Sequence, residues 1–379
     1  MSEIVIVGAG LSGMVAAINL AKEGRDVRVL EAAKGIGGKG NLHPSLHGTT
    51  MNINLIKDYV GIDISHSIQY MGDNTRTKVY IGDDLYEARG NPVKIWVLDR
   101  GSRETSIDAF LYNEALKAGV TFEFSNFIRK VEEVPPGSII ATGLFPEMYD
   151  ELRIPYRDIR GYTFRSEWDK EDSLATVYWD TFSREYFFGA IVNGLYYGLI
   201  FNRGDLSYAN MLECKKKYEE REQHEFEWRP FHARAPFGSI RNRNLTLKSR
   251  ILAGSVSGCM EPFMMFGIVG ALLSGKVAAM AVDDPAGARA DFNEFTKNWT
   301  RSYVFFKIFE TIPNEYKLKF FNATKDYLWE IFQRWPQFAR PFAYFVDCGI
   351  PGVPEGWIRP LIDDYIADRD KEQVRKSAA

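Results

Sequence analysis

The chain opens as strand, glycine-rich turn and helix. Ile4-Val5-Ile6-Val7 runs into Gly8-Ala9-Gly10-Leu11-Ser12-Gly13, and apolar residues then recur at helical spacing through Met14, Ala17, Ile18 and Ala21. Each glycine has its own physical task. Gly8 permits the tight turn, Gly10 lets a pyrophosphate touch backbone, and Gly13 lets the helix sit close to the strand. The N–H groups at the helix start, with Leu11 and Ser12, then face phosphate. A second strand, Val27-Arg28-Val29-Leu30, ends at Glu31, eighteen residues beyond Gly13. A carboxylate there accepts hydrogen bonds from both ribose hydroxyls and disfavours a 2′-phosphate. Strand, turn, helix and acid together predict a dinucleotide-binding unit.

The position of this unit at the start of the chain, and the Gly35-Ile36-Gly37-Gly38 turn after the acid, point to FAD more than NAD. The stretch IVIVGAGLSGMVAAINLAKEGRDVRVLEAAKGIGG resembles the opening of the large FAD-binding oxidoreductase superfamily that includes glutathione reductase, the aromatic hydroxylases and the geranylgeranyl reductases. In those families the Gly-Gly turn passes beneath the flavin end of the cofactor. The resemblance implies cofactor contacts at Gly8, Gly10, Leu11, Ser12, Gly13, Glu31, Ala32, Gly38 and Ile128.

Two distant segments extend the resemblance. Ile139-Ile140-Ala141-Thr142-Gly143 is a short apolar strand ending in small residues, similar to the family's second FAD contact, which implies roles for Ala141, Thr142 and Gly143. Ile251-Leu252-Ala253-Gly254-Ser255, followed by Gly258, Pro262, Gly267-Ile268 and a helix through Ala278, resembles the late flavin motif of strand, Gly-Asp, Pro, Gly-Ile and helix. There Gly254, Pro262, Gly267 and Ile268 match, and the helix start is expected to place N–H groups against the flavin N1/O2 edge. Ser255 stands where the family has Asp. A hydroxyl still bonds ribitol, but with no charge the contact is weaker.

Asp99-Arg100, Arg103 and the helix from Asp108 resemble the segment in which aromatic hydroxylases and geranylgeranyl reductases set an arginine against the pyrophosphate or ribitol. Arg100 and Arg103 are both candidates, since the spacing to Asp108 departs from the family's four residues. Tyr196-Tyr197-Gly198-Leu199-Ile200-Phe201-Asn202 partly matches the aromatic strand that lines the substrate cavity of geranylgeranyl reductases, with Gly and Asn where that family prefers Trp or Pro. Met264-Met265-Phe266 replaces small residues before Gly267, which is expected to narrow the space around the ring. Reducing a C=C bond by flavin hydride requires a proton donor, for which His43, His47, Tyr197 and Glu261 are the candidates. Cys259 reads as a buried, inert thiol.

Composition fits a protein of this kind. The 379 residues are 45% hydrophobic and 26% charged, enough for a large core and two domains, and a net charge of −3 gives no broad pull toward nucleic acid. No long uncharged apolar run is present to span a bilayer. Cys214, Cys259 and Cys348 have no CxxC spacing, which suits a reducing cytoplasm and excludes a disulfide-relay flavoenzyme or structural zinc.

The expected fold is α/β: a Rossmann-like FAD-binding domain of glutathione reductase type (1–44, 95–150 and 245–285), an inserted antiparallel-sheet substrate domain (45–94 and 151–244) and a helical C-terminal region (286–379). Between Trp299 and Phe345 there are 16 Phe, Tyr or Trp in 47 residues, against 14% in the whole chain, with lysines and arginines among them. Such density predicts a wall for a long apolar tunnel, a surface touching a membrane, or a cap on the sheet domain. The expectation is an FAD-dependent reductase of C=C bonds in an apolar, isoprenoid-like substrate, cytoplasmic or peripheral to a membrane. Its electron donor would be NAD(P)H, a ferredoxin or another carrier. An FAD monooxygenase and a non-catalytic prenyl- or lipid-binding protein that keeps the fold are the alternatives.

Overall fold

The computed structural model describes residues 3–37, 46–72, 75–81, 83–89, 95–169, 174–179, 187–192, 194–202, 208–236, 239–262, 265–334 and 350–352, with 367 and 371. The chain begins with β1 (Ile4–Val7), α1 (Leu11–Lys22) and β2 (Val27–Glu31). It continues through β3 (Leu46–Thr50), α2 (Ile53–Val60), β4 (Ile68–Tyr70), β5 (Arg76–Ile81), β6 (Asp84–Arg89) and β7 (Ile95–Asp99). Next come α3 (Ile107–Lys117), β8 (Thr121–Phe124), β9 (Ile139–Ile140), α4 (Pro146–Leu152), β10 (Arg157–Glu167), β11 (Leu174–Trp179), β12 (Phe187–Val192) and β13 (Leu195–Asn202). Then follow α5 (Tyr208–Glu222), β14 (Arg229–Ala235), β15 (Thr246–Leu247), β16 (Arg250–Leu252), α6 (Ile268–Met280), α7 (Pro285–Thr311) and α8 (Asn314–Arg334).

Among the described residues the strands form three sheets. One has the order β15-β16-β9-β1-β2-β8 and is parallel except for β15. Both its faces are covered, which is why β1 is apolar at every position. Ile4 and Ile6 join a core with α1, α3 and α6, while Val5 and Val7 join another with Met148, Tyr149 and Leu152 of α4. Ile107, Leu111 and Ala115 of α3 are buried at i, i+4 spacing, while Leu116 is 46% exposed.

The second sheet, β14-β10-β13-β12-β11-β5-β6, is antiparallel apart from the β11–β5 pair. Its side chains alternate between two faces. Tyr162, Phe164, Tyr196 and Ile200 point outward under α5, packed on Met211, Tyr218 and Phe226. Phe164 lies over Gly198, where any Cβ would collide with its ring. Ile159, Tyr197 and Leu199 occupy the inner face. The third sheet, β3-β7-β4, is antiparallel and supplies Met71 and Val97 to the apolar cluster around Tyr197.

Two stretches read from sequence as strands also contain helices. In α2, Asn52 Oδ1 accepts the N–H of Leu55 at 3.2 Å and Gly61 closes the helix in the left-handed conformation, so capping at both ends outweighs the β-branched content. In α5, a lysine- and glutamate-rich run places Met211 and Tyr218 on the sheet. Asp284 caps α7 and α8 follows as far as Arg334, so the described residues from Asp284 to Arg334 are largely helical, and most of the expected helical region beyond Arg334 lies outside the described residues.

Candidate cofactor site

Three segments far apart in sequence meet at the first turn of α1. Register places Ile6 and Val7 beside Ile139 and Ile140, and β16 beside β9. Gly8, at φ +105°, lies so close to Ala141 that a Cβ would stand 2.5 Å from its carbonyl oxygen. Gly13 is against Gly8 O with no room for a methyl group. Ser12 is the hub. A Cβ on Gly254 would come within 2.5 Å of its Oγ, and one on Gly275 of α6 within 2.5 Å of its carbonyl oxygen. The sequence motif names Ser12 as a helix-start residue; its contact with Gly254 and Gly275 comes from the packing of α6 on α1.

Gly10 is different. It is the N-cap of α1, with extended backbone and no side-chain cap, and a Cβ there would meet nothing within 4 Å. The first helical N–H groups thus face open space, as a pyrophosphate requires. The Thr142 hydroxyl, at the edge of this cradle, is buried without a partner among the described residues. Glu31 is held at the end of β2 by two N–H groups, Ala9 to Oε2 and Ala33 to Oε1, both at 2.7 Å. Its carboxylate retains lone pairs for ribose hydroxyls. These features fit a bound dinucleotide. Ala32 is exposed beside Glu31, whereas Ile128 is buried in the apolar cluster of Val5, Val7 and Leu30, where it packs as core. Gly143, at φ +63°, accepts the Tyr149 phenol hydrogen bond at 3.0 Å. Gly38 and His43 lie outside the described residues.

The turn after Glu31 docks on the loop after β7: a Cβ on Gly37 would be 2.5 Å from Ser102 N. In this loop the two candidate phosphate arginines are held by acids of their own segment. Arg100 pairs in bidentate fashion with Asp108, Nε to Oδ2 at 2.7 Å and Nη2 to Oδ1 at 3.0 Å, and both residues are buried. Arg103 binds Asp99, which also accepts from the Thr105 hydroxyl at 2.5 Å. Asp108 and Asp99 thus fix the orientation of the two guanidiniums, and any phosphate contact would fall to their remaining N–H groups. Although burial acts to raise the Asp99 pKa, bonds from Arg103 and Thr105, with the charges of Arg103 and Arg165, leave it below the ordinary carboxylate range.

On the far side, Gly254 stands at φ +71° with its N–H bonded to Ser274 Oγ at 2.8 Å, and Ser255 is half-buried at the following position. Pro262 is buried, and α6 begins after Gly267 with no side-chain cap at Ile268. Ser255→Asp is expected to tighten FAD retention by roughly tenfold, because a charge-assisted hydrogen bond is about twice as strong as a neutral one; FAD dissociation constants of the two proteins check it.

Glu261 is buried and bonded by the Ser302 hydroxyl of α7, while its N–H donates to Phe266 O at 3.0 Å. It joins the loop before α6 to α7, which gives this buried carboxylate a hydrogen-bond partner. Met265 packs into the cluster of Ile159, Ala235 and Phe306, so this side chain fills the junction of inner sheet face and α7. Met264 lies outside the described residues. Cys259 is buried with its thiol pushed up to about 12 by burial, as an inert thiol requires.

Tyr197 is 1% exposed on the inner sheet face, against Met71 and Val97. His47, on β3, is pushed down to about 4, first by burial and then by the Arg100 charge. Its ring is therefore neutral at pH 7. Because the folded pKa lies below the model-peptide value of about 6.5, stability from His47 is complete above that pH and is lost as pH falls toward 4. His47→Gln is expected to remove about 1–3 kcal/mol of this acid dependence, read from denaturant unfolding across that window.

A family model for an NAD(P)-binding Rossmann-like domain matches residues 6–52. No curated protein sequence matches the chain. Among solved structures, a geranylgeranyl bacteriochlorophyll reductase-like protein from Thermoplasma acidophilum is similar with a TM-score of 0.62 and 15% identity, over 84% of this chain and 89% of that one. CtdE, solved with FAD and a substrate, has a TM-score of 0.60 and 12% identity over 83% and 90%. A 2-methyl-3-hydroxypyridine-5-carboxylic acid oxygenase has a TM-score of 0.57 and 13% identity over 80% and 90%. The chain has the α/β Rossmann-like fold of the FAD-dependent oxidoreductases, of the kind found in aromatic hydroxylases and geranylgeranyl reductase-like proteins.

Proposed function

We propose that the chain is an FAD-dependent oxidoreductase that reduces C=C bonds of an apolar, isoprenoid-like substrate. The supporting observation is the meeting of Gly8, Gly13, Ala141, Ser12, Gly254 and Gly275 around the open position at Gly10. Gly10 and the first N–H groups of α1 would hold the pyrophosphate, Glu31 the ribose, and Ser255 with the start of α6 the flavin end. When bound, FAD supplies hydride from its reduced ring.

The chain's own residues do the rest. Leu199, half-buried on the inner sheet face beside the buried Tyr197 and Met71, would give a hydrocarbon an apolar wall. His43, His47, Tyr197 and Glu261 are the candidate proton donors for the second carbon. The electron donor is NAD(P)H, a ferredoxin or another carrier. Among the described residues no helix is long and apolar enough to cross a membrane. The exposed Ile308 on α7, Ile312 just after it, and Tyr316 and Phe320 on α8 suit peripheral contact with lipid.

The similarity to an oxygenase supports monooxygenation as a second reading. An anaerobic experiment separates the two. The FAD-loaded protein is reduced with dithionite, polyprenyl and other alkene lipids are added, and return of the oxidised-flavin band is followed. Reoxidation by an alkene without oxygen is the expected result. Reoxidation only on admitting air would overturn the reductase, and a protein that takes up no FAD would leave the lipid-binding alternative.

A further inference from the structure

Arg165 lies on β10 directly opposite Tyr197 on β13. Its side chain is 27% exposed, yet it makes no hydrogen bond to any described residue, and its one ion pair is a long contact, Nη1 to Asp99 Oδ1 at 3.8 Å. Asp99 is already committed to Arg103 and Thr105, and Asp108 to Arg100 and the Gly101 N–H. Three guanidiniums therefore lie around Asp99 and Asp108, and Arg165 also feels the charge of Glu167 on its own strand. Arg165 is the one without a matched partner among the described residues, and burial with repulsion from Arg103 lowers its pKa. A half-buried guanidinium whose one ion pair among the described residues is a long contact keeps its N–H donors open to a ligand. Two residues back on the same strand, Thr163 is 4% exposed and its hydroxyl also lacks a partner among the described residues.

The surroundings narrow the choice of ligand. Asp99 ends β7, and the loop after it packs on Gly37 of the turn that follows Glu31. Arg165 thus sits where the inner sheet face meets the nucleotide side, next to the apolar cluster of Tyr197, Leu199 and Val97. A planar fork beside an apolar wall suits an oxyanion attached to a hydrocarbon.

We propose that Arg165 binds the anionic end, carboxylate or phosphate, of an amphiphilic substrate whose apolar part runs along Tyr197 and Leu199. The inference rests on the reading above only in taking the inner sheet face as the substrate side. It is tested by calorimetric titration of the full chain with octyl phosphate, octanoate and octanol, for the wild type, Arg165→Gln and Arg165→Lys. The wild type is expected to bind the two anions and to bind octanol at least tenfold more weakly. Arg165→Gln should lose about tenfold or more in affinity for the anions and leave octanol unchanged, since a charged hydrogen bond is worth that much, and Arg165→Lys should recover part of the loss.

Other sources of the oxyanion give other patterns. Weaker FAD retention in Arg165→Gln with unchanged octyl phosphate affinity would assign the arginine to the cofactor and overturn the proposal. Loss of binding to adenosine 2′,5′-bisphosphate alone would assign it to a dinucleotide donor and overturn it equally. Equal binding of all three probes by wild type and variant would leave Arg165 without a ligand role. Titration does not depend on flavin chemistry. A colourless protein that binds octyl phosphate through Arg165 would contradict only the oxidoreductase reading, and an active alkene reductase indifferent to Arg165 would contradict only this proposal.

Discussion

Gly10→Val is expected to yield a folded protein that binds no FAD. The backbone at Gly10, φ −82° and ψ −178°, is extended and open to valine, and a Cβ there touches nothing within 4 Å. The fold loses only a favourable glycine N-cap, about 1 kcal/mol. The isopropyl group, however, fills the space in which a pyrophosphate would meet the first N–H groups of α1. FAD affinity should fall at least ~100-fold, or about 2.7 kcal/mol, while circular dichroism and the unfolding midpoint stay close to wild type. A yellow Gly10→Val protein would remove the N-terminal turn from the cofactor site.

Three residues on, Gly13→Ala is expected to do the reverse and damage the fold itself. The added methyl group would collide with the Gly8 carbonyl oxygen and come within 3.3 Å of the Ala141 Cβ. Neither neighbour can yield easily. Gly8 is fixed between β1 and the turn by its N–H bond to Leu30 O at 2.8 Å, and Ala141 by its N–H bond to Val7 O at 2.8 Å. Separating α1 from β1 also disturbs the contact of Ser12 with Gly254 and Gly275. Destabilisation of about 3 kcal/mol or more is expected, at the upper end for overpacked cores. Urea unfolding of the cofactor-free protein measures it. A wild-type midpoint for Gly13→Ala would mean that α1 does not approach β1 as described. The pair of variants divides glycines that look equivalent in sequence into one needed by the ligand and one needed by the chain.

Much of this was legible because the physics is local. A tight turn, a helix start and an acid at a strand end each leave a mark within a few residues, so β1, α1, β2 and Glu31 follow from the first 31 positions. The small-residue ends of β9 and β16 were readable for the same reason, and their approach to Gly8 and Ser12 agrees with the resemblance that linked them. Arg100 and Arg103 were not readable, because a guanidinium looks alike whether it awaits a phosphate or is closed on Asp108 or Asp99. The pairing of β7 with β3 and β4 was also hidden, since Ile-Trp-Val-Leu suits any half-buried strand and its partners lie far away in sequence. Arg165 carries no motif. Its significance lies in what it fails to bond, which only the arrangement of Asp99, Arg103 and Thr105 shows.

Whether the chain holds a flavin is read from the absorption spectrum of the protein after incubation with excess FAD and gel filtration. One flavin per chain is expected to travel with the protein, its oxidised band near ~450 nm altered from that of free FAD by the surroundings of the ring. A colourless protein peak, with all the FAD eluting separately, would contradict it.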